Sequence, residues 1–393
     1  MVQKKDSILF IHHQDVTNPV GTTVPHNLTK RMARSQEISV ICRKYPDGHN
    51  REALQDVNLT AINVGNTPIV SGVLFILISS ILSTIISLKG DYDCVYCFQS
   101  SLIQGWVASK FSTGRLVAGL QSVPVRQSQD FLSGRDREGS ISSYVYKYGY
   151  QLYSKIIGHI LKSSDRIICL TDGIRCLTEE MYEVDMSDAT IIGMGVDLDL
   201  FSRENPTTTQ NKTGWEIVYV GSITENRGIE HVIETVSNSN HDLQFKVVGD
   251  GPEAYVSSLK QLTVDRDVTD SIEWVGRVPH ETVPELLSAA DFAISPLQDI
   301  ESYQVSFPAK ILEYMAAECL VIATEIPAHE SLIEHGVSGY LYDGTQPGLL
   351  NTLEQAIESN EKNRDIRKRG LKIAENYDWE IIVDKHERTV LNE

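Results

Sequence analysis

Lys310 and Glu313 stand three residues apart in SFPAKILEYMAAECLVIAT, residues 306–324. On a helix that spacing puts an ammonium and a carboxylate on one face. Ser306 is placed to cap such a helix and Pro308 to fit its first turn. A helix start with a full positive charge one step inside attracts anions. A phosphate held there leaves Glu313 to accept hydrogen bonds from sugar hydroxyls; the bland alternative is a solvated surface pair. A second cation, Arg227, lies in VGSITENRG, residues 220–228, where an apolar run passes through Gly221 and Ser222 toward a helical segment. That is a phosphate cradle in general form, and a guanidinium binds phosphate bidentately.

These groups need elements to hold them. Phe292 to Ser295 and Leu320 to Thr324 are β-rich runs flanking a helix whose Ile311, Leu312, Met315 and Ala316 recur at helical spacing. Such a crossover belongs to a parallel sheet, with its helix starting at the carboxyl edge where α/β proteins place ligands. Ile217 to Val220 is a further strand in this half. In the first half, Ser7 to His12, Glu37 to Cys42, Leu59 to Val64, Cys94 to Phe98 and Leu116 to Leu120 read as strands. His12 and His13 are read as strand-end residues, and Lys30, Arg31 and Arg34 as a basic helix face. The chain of 393 residues is long enough for two α/β domains of roughly 150 to 200 residues each.

A net charge of −18 disfavours nonspecific nucleic-acid binding. The six cysteines read as reduced thiols. Cys94 and Cys97 form a CxxC, but on a strand residues three apart face opposite ways, so no metal or redox role is expected. The pairs Asp91/Asp93, Asp197/Asp199 and Asp265/Asp267 could supply oxygen ligands to a divalent ion, and read better as surface acids. No metal or other cofactor is expected. MVQKKDSILFIHH has too short an apolar run for a signal peptide, so the cytoplasm is the expected compartment.

Ile69 to Leu88 is uncharged for twenty residues, the length of a membrane span. Ser79, Ser83 and Ser87 line one side and Leu74, Leu77, Ile78, Ile81, Ile85 and Leu88 the other. A span would separate the first strands from Cys94 to Phe98 across a membrane. The reading preferred is a sheet-covering helix with Phe75, Leu82 and Ile86 outward, where they can touch lipid; a core helix and a span remain the alternatives. Tyr144, Tyr146, Tyr148, Tyr150 and Tyr153 beside Lys147, Lys155 and Lys162 offer a second place for a lipid headgroup region.

FPAKILEYMAAECLVIAT followed by HESLIEHGVSGYLY resembles the donor-site signature of glycosyltransferase family 4, retaining enzymes of the GT-B fold, with Gly336, Gly339 and Leu341 as its closing turn. The order continues through the Gly221 to Arg227 loop, the Gly249 to Glu253 turn and Gly276 to Val278. The resemblance implies two Rossmann-like domains facing across a cleft, residues 1–202 for the acceptor and 203–375 for the nucleotide sugar, with a helix in 376–393 crossing back and Trp379 as its anchor. It implies donor binding by Gly21, Gly221, Ser222, Arg227, Gly249, Arg277, Val278, Ser306, Phe307, Lys310 and Glu313, with Arg277 and Val278 near the nucleobase. It implies stabilisation of the leaving diphosphate by Arg227 and Lys310, and a place for Gln121 where relatives carry a histidine beside the transferred sugar.

Departures from the family pattern are Ser222 for a basic residue, Met194 for an Asn, and Val305 for a Glu whose part Glu301 could take. The implied activity is sugar transfer from a nucleotide-diphosphate sugar to a glycan or lipid-linked acceptor, at a membrane surface if Ile69 to Leu88 touches lipid. The alternatives are a catalytically silent GT-B binding module, another GT-B enzyme such as an epimerase, and a membrane-anchored protein.

Overall fold

The structure, a computed structural model, describes residues 5–17, 23–45, 51–65, 68–122, 141–201 and 214–391. Gly21 lies outside them, as do residues 123–140 and 202–213 and the side chains of residues 141–150.

Strands β1 (Ser7–Ile11), β2 (Glu37–Arg43), β3 (Asn58–Ile62), β4 (Cys94–Phe98), β5 (Arg115–Leu120), β6 (Arg166–Cys169) and β7 (Thr190–Ile191) form one sheet in the order β3-β2-β1-β4-β5-β6-β7. Strands β8 (Trp215–Val220), β9 (Leu243–Val248), β10 (Ile272–Gly276), β11 (Phe292–Ser295), β12 (Leu320–Thr324) and β13 (Tyr340–Tyr342) form a second, ordered β10-β9-β8-β11-β12-β13. All pairings in the first sheet are parallel. Those in the second are parallel too. Central strands such as β4 and β12 are buried on both faces, so their sequences are apolar but for Thr324 at the end of β12. The order reverses between β1 and β4 and again between β8 and β11, the switch points at which doubly wound sheets leave a ligand crevice.

The chain divides into two compact units, residues 1–194 with 380–393 and residues 195–379. The boundary falls earlier than 202 because Val196 and Phe201 pack into the core of the second unit. Val196 N–H donates to Tyr377 O at 2.8 Å and Trp379 N–H to Val196 O at 3.2 Å. Trp379 is therefore an anchor within the second unit, its indole lying where a Gly195 Cβ would stand. From Glu380 the last helix packs on the first unit. Arg31 and Arg34 pair with Glu380, Tyr96 Oη meets His386 Nδ1 at 3.2 Å, and Arg115 donates to Val390 O at 3.1 Å. Arg31 and Arg34 are thus partnered rather than merely solvated.

Helix Pro68–Lys89 is inverted relative to expectation. Phe75 is buried, as are Ser71, Ser79, Ser83 and Ser87, while the aliphatic stripe opposite the serines is exposed. The physical reason is steric: serines are small, and Ser79, Ser80 and Ser83 return their hydroxyl hydrogens to carbonyls of their own helix, so this face packs closely on helix Leu102–Ser109.

Burial holds four histidines neutral. His12 and His386 are pushed down to about 3, His12 also by the charge of His13. His13 and His329 are pushed to about 4, His13 also by Arg43. In the unfolded chain each titrates near 6.5, so below that pH unfolding takes up protons. Folded-state stability is expected to fall as pH drops from about 6.5 toward about 5, before most carboxylates titrate, and His386→Phe to reduce the proton uptake by about one. Urea titrations across that range check this, and a flat profile would contradict it.

Candidate functional site

The carboxyl ends of β8, β9 and β11 meet backbone against backbone. Gly221 N–H donates to Val248 O at 2.9 Å, and Gly249, at φ +145°, would place a Cβ 1.8 Å from Gly221 O. Gly228, at φ +64°, would place one 2.1 Å from Pro296 O. Only glycine fits at either position. Gln298 ties the β11 loop to the β8 loop by donating from its N–H to Asn226 O at 3.1 Å and from Nε2 to Glu225 O at 3.2 Å.

Arg227 ends the short 3-10 turn Glu225–Arg227 that these contacts fix. Its guanidinium lies 5.0 Å over the Tyr303 ring, a cation–π contact that orients it. Its Nε is buried with no hydrogen-bond partner. A desolvated, oriented N–H of a permanent cation is costly to leave unmet, and an anion is its natural acceptor. Ser222 nearby is exposed and supplies no charge.

On the neighbouring strand end, helix Ala309–Ala316 follows β11. Ser306 does not cap it. Pro308 is its N-cap residue, with φ −86° and ψ 64°, while Ser306 turns back on the preceding helix Glu301–Gln304 and donates from both Oγ (2.9 Å) and N–H (3.2 Å) to Tyr303 O. The Ser306 N–H is consequently already in use. Phe307 packs beside the core of the unit.

Lys310 Nζ lies 3.4 Å from Glu313 Oε2, and His280 Nε2 lies 3.1 Å from Glu313 Oε1. The Glu313 side chain is 17% exposed. Burial pushes its carboxyl up, but the hydrogen bond from His280 and the charge of Lys310 outweigh this and hold it below the usual range. The same hydrogen bond to Glu313 raises His280 above its ordinary value, against partial burial. His280 also sets its ring edge-on to Phe201 at 5.6 Å. Helical spacing brings Lys310 to Glu313 but does not bring His280, whose only sequence signal is its place in VPHET beside Arg277 and Val278.

Arg277 and Val278 follow β10, with Arg277 4.0 Å from Asp250 and both side chains well exposed. Val278 packs against the unit's core. Val305 closes helix Glu301–Gln304, which Glu301 opens at the surface. Gln121, half-buried at the end of β5 in the other unit, has a buried Nε2 without a partner. Among the described residues no three His, Cys, Asp or Glu side chains converge to hold a metal ion.

Residues 202–373 match the profile described as "Glycosyl transferases group 1". This region is similar to the glycosyl transferases group 1 family. It takes in the whole second sheet with Arg227, His280, Lys310 and Glu313. The chain is 23% identical over 247 residues to the phosphatidylinositol N-acetylglucosaminyltransferase GPI3 subunit of Saccharomyces cerevisiae, an alignment covering 60% of this chain and 52% of that protein. It is 27% identical over 251 residues to the D-inositol 3-phosphate glycosyltransferase of Geodermatophilus obscurus, covering 59% and 54%. The matched segment thus spans about half the length of these curated relatives. In structure the chain is similar to Anabaena HepE, crystallised in complex with UDP and glucose, at a TM-score of 0.75 and 17% identity, covering 99% of this chain and 100% of that one. The fold is GT-B, with two Rossmann-like units.

The His280–Glu313 pair has a defined pH window. The contribution of His280 is complete below about 6.5 and is lost as pH rises through its raised pKa; that of Glu313 is present above about 4.5 and is lost as pH falls through its depressed pKa. The His280 Cε1 proton is expected to titrate above 6.5 in the native chain and to move back toward 6.5 in Glu313→Gln. An unchanged NMR titration would show that the two groups do not interact.

Proposed function

We propose that the chain is a retaining glycosyltransferase that takes a sugar from a nucleoside-diphosphate donor to a glycan or lipid-linked acceptor. The observation that carries this is the buried, partnerless Nε of Arg227 at the end of β8, with Lys310 and Glu313 at the end of the adjacent β11, both within residues 202–373. Arg227 and Lys310 meet the diphosphate, and Glu313 exchanges its contacts with His280 and Lys310 for the ribose hydroxyls. The C1–O bond to the diphosphate breaks as an acceptor oxygen bonds to C1 on the same face. The acceptor's proton passes to the departing phosphate oxygen, so the step needs no separate base. Positive charge already oriented where negative charge develops lowers the barrier. The crystallisation of HepE with UDP supports a uridine nucleotide as the first donor to test.

Ser222, Val305 and Gln121 favour a second reading, a GT-B protein that binds nucleotide sugar without turning it over. Kinetics on a panel of UDP-, GDP- and dTDP-sugars decide between the two. Arg227→Ala and Lys310→Ala are expected to lower kcat by about 10²–10³. Glu313→Ala is expected to weaken nucleotide binding by about 1.5–3 kcal/mol. Turnover is expected to persist in excess chelator, and its loss there would refute the metal-free mechanism. Binding with no turnover of any donor, across several acceptors, would favour the silent reading.

A further inference from the structure

We propose that one side of the first unit docks in the plane of an anionic lipid bilayer through helix Pro68–Lys89. The inference is independent of the donor site. Val70, Val73, Leu77, Ile81, Ile85 and Leu88 are all exposed along this helix, with Leu77 at 56%, Ile81 at 60% and Leu88 at 65%. The helix has 22 residues, about 33 Å, and the exposed stripe runs along nearly all of it. Its serines face inward against helix Leu102–Ser109, so polar-inside and apolar-outside replaces the usual arrangement. It does not span: it joins β3 to β4, two strands of one sheet, and that sheet cannot lie on both sides of a bilayer.

Chemistry selects lipid over a protein partner. The outward stripe is aliphatic, without the Trp, Tyr and Arg that anchor protein interfaces. Acyl chains ask only for apolar surface, and a helix with one such face lies in the headgroup boundary. Charge agrees. The described residues 68–122 and 141–162 carry six Lys and Arg against two Asp and Glu, in a chain whose net charge is −18. No Asp or Glu occurs between Asp56 and Asp91. Asp91 and Asp93 are engaged, with Thr113 Oγ1 donating to Asp91 Oδ1 at 2.7 Å and Ser7 N–H to Asp93 Oδ2 at 2.9 Å.

The next helices extend the surface. Helix Leu102–Ser109 carries Trp106, with Lys110 Nζ 5.1 Å over its ring, and packs on helix Ile141–Lys162 through an edge-on contact of Trp106 with His159 at 5.8 Å. There Leu152 and Ile156 are exposed beside Lys155 and Lys162. Trp106, its Nε1 buried, serves here as packing between the two helices, and the lysines are the groups that reach headgroup phosphates while their stems lie along apolar surface.

Flotation of the purified full chain with phosphatidylcholine vesicles, with and without phosphatidylglycerol, tests this. The chain is expected to float with the anionic vesicles, several-fold less with phosphatidylcholine alone, and less again when salt is raised about tenfold. Leu77→Glu/Ile81→Glu is expected to stay at the bottom while its melting curve and nucleotide binding match the native chain. Lys155→Glu/Lys162→Glu is expected to weaken flotation several-fold. No flotation with anionic vesicles, unchanged flotation of the Leu77/Ile81 variant, or indifference to lipid charge would each overturn the proposal. So would bound protein resisting alkaline carbonate, which indicates a span, or a dimer in buffer that the Leu77/Ile81 variant dissociates without any flotation of the native chain, which indicates a second copy as the occupant. Loss of nucleotide binding in the native chain would refute the donor-site reading and leave the flotation result standing.

Discussion

Backbone-to-backbone contact at the carboxyl edge of the second sheet is the constraint on which the candidate site depends. A Cβ at Gly249 would fall inside the carbonyl of Gly221, and one at Gly228 inside the carbonyl of Pro296, so the loops after β8, β9 and β11 close on one another with no side chain between them. Arg227 is held at the rim of that closure, between a fixed turn and the Tyr303 ring. Tyr303 O in turn receives both Ser306 donors, which sets the entry of the chain into helix Ala309–Ala316. Two cations from separate loops are thereby placed at adjoining strand ends before any ligand arrives, and Arg227, fixed and without a partner at Nε, needs no rearrangement when negative charge develops.

Glu313 shows the complementary economy. A largely buried carboxylate is unfavourable alone, and two donors, His280 and Lys310, keep it ionised. Both donors are themselves half exposed, so their grip is adjustable. A ligand presenting hydroxyls can take over part of the carboxylate, freeing Lys310 for a phosphate. His280, seated against Phe201, links this chemistry to the segment that begins the second unit.

Much of this was legible in the sequence, for identifiable reasons. Strands buried on both faces read as unbroken apolar runs, as in Cys94–Phe98 and residues 320–323, and the crossover between β11 and β12 dictated a helix start at the carboxyl edge. Lys310 and Glu313 fell together because helical spacing rules reach three and four residues. They do not reach His280, which is 33 residues from Glu313 in the chain. Ser306 failed as a cap because the residue before a proline is biased away from helical geometry, which sets Phe307 and Pro308 between Ser306 and the first turn. For helix Pro68–Lys89, periodicity told which residues share a face but not which face is inside. Leucines ordinarily face inward; here the serines do, because their small side chains allow the closer helix contact.

Hydrogen–deuterium exchange of the full chain with and without a uridine nucleotide sugar tests the central claim most directly. The structure predicts that ligand slows exchange in two separate segments, the Gly221–Ile229 loop and the Ser306–Tyr314 turn, together and with one saturation midpoint. Saturable binding that leaves both segments unchanged, or protects only the first unit, would contradict a donor site built from the adjoining ends of β8 and β11.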